Sequence, residues 1–181
     1  VPHRSIAATE LLDGEPVEVT RAWETGTGTS WAASCHAVEV EVEPETGHAR
    51  VLRYILVHDS GREINPRLVE GQLHGGLVHG IGYALFEEAL YDPDGQFQTA
   101  SFLDYTLASA PEIAFVPELV SQESFTDFNP ESVKGVGEAG TIPAPAAVVS
   151  ALEDALRPRH PELALDRIPV TPERLLDAMR G

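Results

Sequence analysis

The clearest pattern along the chain is Cys35-His36-Ala37-Val38-Glu39-Val40-Glu41-Val42-Glu43. In an extended backbone Val38, Val40 and Val42 fall on one side and Glu39, Glu41 and Glu43 on the other, which predicts a strand with one wet face. Pro44-Glu45-Thr46-Gly47 supplies turn chemistry, and residues 49–58 return with Val51, Leu52, Tyr54, Ile55, Leu56 and Val57, so the two runs predict an antiparallel hairpin. After a loop at Asp59-Ser60-Gly61 the period changes from 2 to 3.6. Asn65-Pro66 signals a helix start, and Leu73, Leu77, Ile81, Ala84 and Leu85 form the apolar stripe of a helix predicted from about 67 to 90. Beside that stripe run Gln72, Gly76, His79, Gly80 and Tyr83, again at helical spacing. Gly71, Gly75, Gly76, Gly80 and Gly82 each cost roughly 1 kcal/mol relative to Ala in a helix interior. Such a density of glycine implies close approach of another backbone or of a bulky ligand.

The remaining signals are shorter. Residues 1–32 read as an irregular entry segment, with one strand near residues 17–22 and a loop by composition at 26–30. Tyr91-Asp92-Pro93-Asp94-Gly95 is a turn, residues 96–102 suit a strand, and residues 112–122 read as a core strand. A helix is predicted over 141–156, its Pro143 and Pro145 tolerated only in the first turn. Residues 157–167 form a polar, proline-bearing loop, and Thr171-Pro172 starts a final short helix with Thr as N-cap. The predicted fold is α+β: a twisted sheet beginning at the hairpin, with helices packed on one face, across a domain spanning 33–181.

Bulk properties narrow the function. The 181 residues suffice for one domain with a real core, and 43% apolar residues with a charged fraction of 23% argue against disorder. A formal charge of -17, with no Lys/Arg cluster, argues against nucleic acid and anionic membrane surfaces as partners. One cysteine precludes an internal disulfide, and no apolar run is long enough to span a bilayer, so the expected compartment is the cytoplasm. The chain begins at Val1 rather than Met, which implies a longer polypeptide upstream.

Among the chemical candidates, histidine is the weaker. His74 and His79 are five apart and point to different helix faces, whereas a two-histidine zinc helix needs a spacing of four with a glutamate between. Cys35 lacks an identifiable base and reads as a small buried thiol. Gly26 to Ser30 lacks the Lys-Ser/Thr ending of a phosphate-binding loop. Lys134-Gly135-Val136-Gly137-Glu138-Ala139-Gly140 is stronger. It places one carboxylate among glycines that permit close ligand approach, just ahead of a helix start whose unpaired N–H groups favour an anion. The plainer reading is a helix-capping turn with Glu138 favourable to the helix dipole.

Two long motifs together carry a resemblance. The run from Asp59 through Asn65-Pro66, Glu70-Gly71-Gln72, Gly75-Gly76 and His79-Gly80-Ile81-Gly82-Tyr83-Ala84-Leu85 to Glu87-Glu88, followed by Lys134 to Pro143, closely resembles the C-terminal molybdenum-cofactor domain of the xanthine dehydrogenase, aldehyde oxidase and carbon monoxide dehydrogenase large-subunit family, in the same order over roughly residues 33–179. The resemblance implies molybdopterin, as the cytosine dinucleotide in bacterial members, with molybdenum. Glu138 would be the catalytic general base, ionised and within about 3 Å of its proton. Gln72, Gly76, His79, Gly80 and the segment Lys134, Gly135, Val136, Gly137 would hold the cofactor. No protein side chain is implied as a metal ligand.

The implied reaction oxidises an aldehyde, an N-heterocycle or carbon monoxide with water as oxygen source. The implied partners are the remaining domains of the molybdenum subunit, iron-sulfur clusters and FAD in further domains or subunits, and a small-molecule substrate. The family usually carries glutamine where His79 stands and glutamate where His74 stands. Those departures favour the alternative, a non-catalytic assembly or interaction module with the same fold and a degenerate site. The isolated chain is one wall of the site, so little turnover and no tightly held cofactor are expected of it.

Overall fold

The computed structural model describes residues 28–180. The strand expected near residues 17–22 lies outside them. Strands β1 (Ala33–Val42) and β2 (Ala49–Asp59) form the expected antiparallel hairpin, with Val38 opposite Tyr54 and the register shifting at a bulge between Glu39 and Val40. The bulge restores the inward direction of the pleat, so that Val51, Tyr54 and Leu56 are buried in β2 while Val38, Val40 and Val42 pack against them from β1. Cys35 stands on the opposite, solvent face of β1 and is exposed, which corrects the buried thiol expected from composition. Position parity in the strand outweighs the residue's preference for burial.

The third strand, β3 (Glu118–Ser121), joins β2 in parallel, giving a mixed sheet of order β1-β2-β3. The core strand expected over residues 112–122 shrinks to these four, because Pro117 has no amide for a ladder and the pairing starts immediately after it. The strand expected over 96–102 is absent. Its place is taken by a single bridge between Tyr91 and Phe97, organised by Asp92, whose carboxylate accepts from the amides of Asp94 and Gln96.

Helix α1 (Pro66–Leu85) starts where the sequence indicates, the Asn65 side chain accepting from the Leu68 amide. It ends one turn earlier than the apolar pattern suggests. The amides of Phe86 and Glu87 both return to the Gly82 carbonyl, and the Glu87 carboxyl folds into the space left by the missing Gly82 side chain, where Tyr105 donates to it at 2.8 Å. Helix α2 (Ala144–Leu156) packs on β1 and on α1, and α3 (Pro172–Arg180) follows a Thr171 cap. Leu73, Leu77 and Ile81 of α1 meet Ala144, Val148 and Leu152 of α2 over the inner face of the hairpin, all essentially buried. The architecture is α+β, with helices on one face of the sheet.

Apart from Gly82, the glycines of α1 divide into two sets. A Cβ on Gly80 would lie 2.5 Å from the Ala144 Cβ, and one on Gly76 would lie 3.0 Å from the Thr141 hydroxyl, so these two admit the entry to α2. Gly71 and Gly75 meet nothing within 4 Å and lie on the exposed surface. The approach is reciprocal: a Cβ on Gly140 would lie 2.5 Å from the Leu73 carbonyl oxygen and 2.9 Å from the Leu77 amide. Backbone atoms cannot move aside as a side chain tip can. Gly140→Ala is therefore expected to lower stability by about 1–3 kcal/mol, the usual cost of overpacking, read as a reduced urea midpoint at unchanged m-value. An unchanged midpoint would show that α1 and the loop separate freely.

Candidate functional site

The segment 134–140 crosses from the sheet to α2 along the glycine-bearing side of α1, and it is fastened at three places. At its start the Lys134 amide donates to the Ser60 carbonyl at 2.8 Å, and the Lys134 ammonium pairs with Asp59 at 2.6 Å. At its end Gly140 sits against the α1 backbone and the Thr141 hydroxyl donates to the Gly76 carbonyl at 3.0 Å. Between them the Ala139 carbonyl lies 3.1 Å from His36 Nε2 on β1, whose Nδ1 is 2.7 Å from the hydroxyl of the fully buried Tyr54. Thr141 and Ile142 both donate to the Glu138 carbonyl, closing a turn directly under the carboxylate.

Lys134, one of the residues expected to hold the cofactor, is engaged within the chain itself. Its ammonium is buried against Asp59 and the Ser124 hydroxyl, and its amide is engaged, so neither faces the opening beyond Gly135. Burial acts against ionisation of Asp59, but Lys134, the Ser124 hydroxyl and the amides of Gly61 and Ser124 outweigh it and hold the carboxyl well below the usual carboxylate range. The pair is an anchor for the loop.

From Gly135 onward the loop opens. Among the described residues, the amides of Gly135, Val136, Gly137 and Glu138 have no acceptor. They border a concavity of about 390 Å³ lined by residues 30–34, residues 135–139 and Ile142. Glu138 is exposed there, its carboxylate unpaired among the described residues, whereas Val136 and Ala139 turn partly into the core and hold the loop down. Gln72 on α1 reaches the same loop: its Oε1 lies 3.8 Å from where a Cβ on Gly137 would stand.

The structure thus brings Glu138, Gln72 and Gly135 to Gly137 together. Gly76 and Gly80 are covered by the loop and by α2, so the close approach they permit is to another backbone. His79 lies on the exposed side of α1, seven residues and about 10 Å along the axis from Gln72 on the same face. Its ring tilts over Tyr83 with centroids 4.3 Å apart. Sequence reasoning missed His36 and Tyr54. The available signal was parity: His36 shares the inward register of Val38, Val40 and Val42.

No group of three His, Cys, Asp or Glu side chains able to hold a metal ion occurs among the described residues. The profile of the molybdopterin cofactor-binding domain matches residues 2–114. The chain belongs to this family. Its relatives include the gamma subunit of the 6-hydroxypseudooxynicotine dehydrogenase complex of Paenarthrobacter nicotinovorans, 44% identical over 144 residues that make up 80% of this chain and 18% of that protein. The nicotine 6-hydroxylase large subunit of the same organism is 41% identical over 167 residues, covering 91% of this chain and 20% of that protein. Among solved structures, quinoline 2-oxidoreductase from Pseudomonas putida 86 superposes with a TM-score of 0.73 at 38% identity, over 81% of this chain and 18% of that one.

The chain therefore spans about one fifth of the length of the curated relatives it matches. It is a portion of the molybdenum-hydroxylase large-subunit fold, as the two motifs implied. No helix among the described residues is long and apolar enough to cross a membrane.

Proposed function

We propose that this domain forms the wall of a molybdenum hydroxylase site that carries the general base, Glu138. The observation supporting the reading is the loop itself: a carboxylate on a backbone pinned at three points, beside a row of unengaged amides and facing an opening. The residues fit an anionic pterin cofactor. Amides of Gly135, Val136 and Gly137 can donate to phosphate or pterin acceptor atoms, and the Gln72 amide group supplies both a donor and an acceptor on the same border. His79 would offer one further N–H on the same helix face. Gly76 and Gly80 would serve indirectly, by letting α1 approach the loop closely enough for Gln72 to reach its rim.

Bound there, molybdopterin with molybdenum, as the cytosine dinucleotide, would supply a two-electron oxidation that takes its oxygen from water. In the overall change the C–H bond of an N-heterocycle or aldehyde and water give C–OH, two protons and two electrons, and carbon monoxide and water give carbon dioxide with the same protons and electrons. The Glu138 carboxylate would accept a proton from the water-derived oxygen as it bonds to carbon, and its pinned backbone would hold that carboxylate in reach without reorganisation. The electrons would pass to iron-sulfur clusters and FAD in partner domains or subunits. The substrate class we favour is an N-heterocycle, since the relatives at 41% and 38% identity are named for nicotine and quinoline; aldehydes and carbon monoxide are the other classes within the family reading. A cytoplasmic setting belongs to the same proposal.

The test is cofactor content. The complete reading frame, expressed in molybdate-supplied cells, is expected to carry close to one molybdenum and one pterin per chain. The 181-residue chain alone should retain neither through gel filtration, because its concavity is open and a large ligand needs burial on most sides for tight binding. Metal-free complete protein would identify a non-catalytic module instead.

A further inference from the structure

We propose that His36, oriented by Tyr54, is the positioning residue for Glu138: it locks the peptide that follows the base and so fixes the direction in which the carboxylate projects. This rests on the reading of Glu138 as general base. The contact joins residues 103 apart in sequence, from the hairpin to the loop. The Ala139 carbonyl only accepts, so His36 Nε2 carries the hydrogen; Nδ1, 2.7 Å from the Tyr54 oxygen, then accepts from the Tyr54 hydroxyl. Burial keeps His36 below its ordinary pKa against the opposing pull of the Ala139 carbonyl, and pushes the Tyr54 hydroxyl up, both consistent with a neutral imidazole between two neutral partners. Tyr54 is itself immobile, with no exposed surface and its ring stacked on Phe115 at 6.1 Å and 10°.

The choice of peptide is what gives the contact its consequence. Thr141 donates to the Glu138 carbonyl, which makes 138–141 a turn whose central peptide joins Ala139 to Gly140. Turns with glycine at the third position interconvert by flipping that peptide, since glycine accepts the left-handed angles the other turn type requires. Gly140 is not among the left-handed glycines here. A flip would carry the Ala139 carbonyl away from His36 and change the backbone on which Glu138 stands. The His36 N–H holds the carbonyl on one side, and Tyr54 prevents the imidazole from turning to release it.

The experiment compares five complete molybdenum proteins, wild type, His36→Leu, His36→Gln, Tyr54→Phe and Glu138→Gln, by hydrogen exchange of the 134–142 segment, bound molybdenum, and kcat and KM on whichever of quinoline, nicotine or benzaldehyde the wild type turns over. His36→Leu should exchange roughly tenfold faster at Thr141 and Ile142, as expected for losing one part-buried hydrogen bond. Its kcat should fall about 10²-fold, the scale of a misplacement near 1 Å, with KM and molybdenum content close to wild type. His36→Gln keeps one donor and one acceptor and should recover most of both losses. Tyr54→Phe removes only the orienting hydroxyl and should move exchange and kcat in the same direction by less. Wild-type exchange and kcat in His36→Leu overturn the proposal; if that variant does not accumulate, wild-type values in Tyr54→Phe overturn it. A loosened loop in His36→Leu alongside full turnover in Glu138→Gln would keep the tether and remove the general base instead.

Discussion

Glu138→Gln should lower kcat of the complete enzyme by about 10²–10⁴-fold, the range that a positioned general base contributes, while bound molybdenum and pterin stay at the wild-type level. The separation of the two readouts follows from how the loop is built. The contacts that hold residue 138 use its carbonyl, which accepts from Thr141 and Ile142, and not its side chain, which is unpaired among the described residues and lines the concavity. Glutamine has nearly the same shape and leaves the turn, the His36 contact and the Lys134 anchor intact. What it lacks is the capacity to take a proton at neutral pH. The loss should therefore appear in kcat and kcat/KM together, as for an interaction made only in the transition state. Molybdenum content by elemental analysis and steady-state kinetics on the same preparation decide the matter. Turnover within threefold of wild type would remove Glu138 from the chemistry, and parallel loss of metal and turnover would reassign it to cofactor retention.

The elements that could be read from sequence are those whose cause is local. Alternating Val and Glu in β1, Asn65-Pro66 ahead of α1 and Thr171-Pro172 ahead of α3 each carry their physical reason within a few residues, and each element is present. Glu138 stood out for the same reason, as one carboxylate among glycines. Features set by distant partners were not legible. The short β3 depends on where β2 can accept a parallel neighbour once Pro117 has interrupted the backbone, so an apolar run over 112–122 overstated it. The early end of α1 depends on Glu87 folding into the Gly82 gap and meeting Tyr105, 18 residues on. The glycines of α1 showed that something approaches closely, but only the tertiary structure distinguishes Gly76 and Gly80, which admit the Gly140 to Ala144 segment, from the exposed Gly71 and Gly75.

The same distinction separates the site's edge from its supports. Gly135, Gly137 and Glu138 sit together in sequence and together in space. The groups that hold them, His36, Tyr54, Asp59 and Ser60, come from the hairpin and the residue that follows it; the contacts to the loop join residues 74 to 103 apart. The family resemblance implied a cofactor-holding role for Lys134 together with the loop, whereas its partner Asp59 ends β2 and could not be placed beside it without the fold. The domain uses a rigid sheet to fix a loop that glycine would otherwise leave mobile, and the price of that flexibility is met by tertiary contacts.

Lys134→Met should destabilise the protein by about 3–5 kcal/mol near pH 7, the usual cost of removing one partner of a buried ion pair. That is a large share of a typical total of about 5–15 kcal/mol. The Lys134 and Asp59 side chains are only 7% and 16% exposed, so solvent offers the orphaned carboxylate little relief. Its remaining neutral donors, the Ser124 hydroxyl and the amides of Gly61 and Ser124, solvate it only in part. The deficit should depend on pH in a defined direction. Because the folded pair depresses the Asp59 pKa, its stabilisation is fully present above the unfolded value, about 3.9, and is lost as pH falls through the lower folded value. The difference between wild type and Lys134→Met should thus be constant from neutral pH to about 5 and shrink below about 4, where the variant's carboxyl protonates first. Adding Asp59→Asn should restore much of the loss at pH 7, since the double variant buries no charge. Urea unfolding of the three proteins across that range measures all of this; a deficit under 1 kcal/mol at pH 7, or one that persists undiminished well below pH 4, would show that the Lys134–Asp59 pair does not anchor the Glu138 loop.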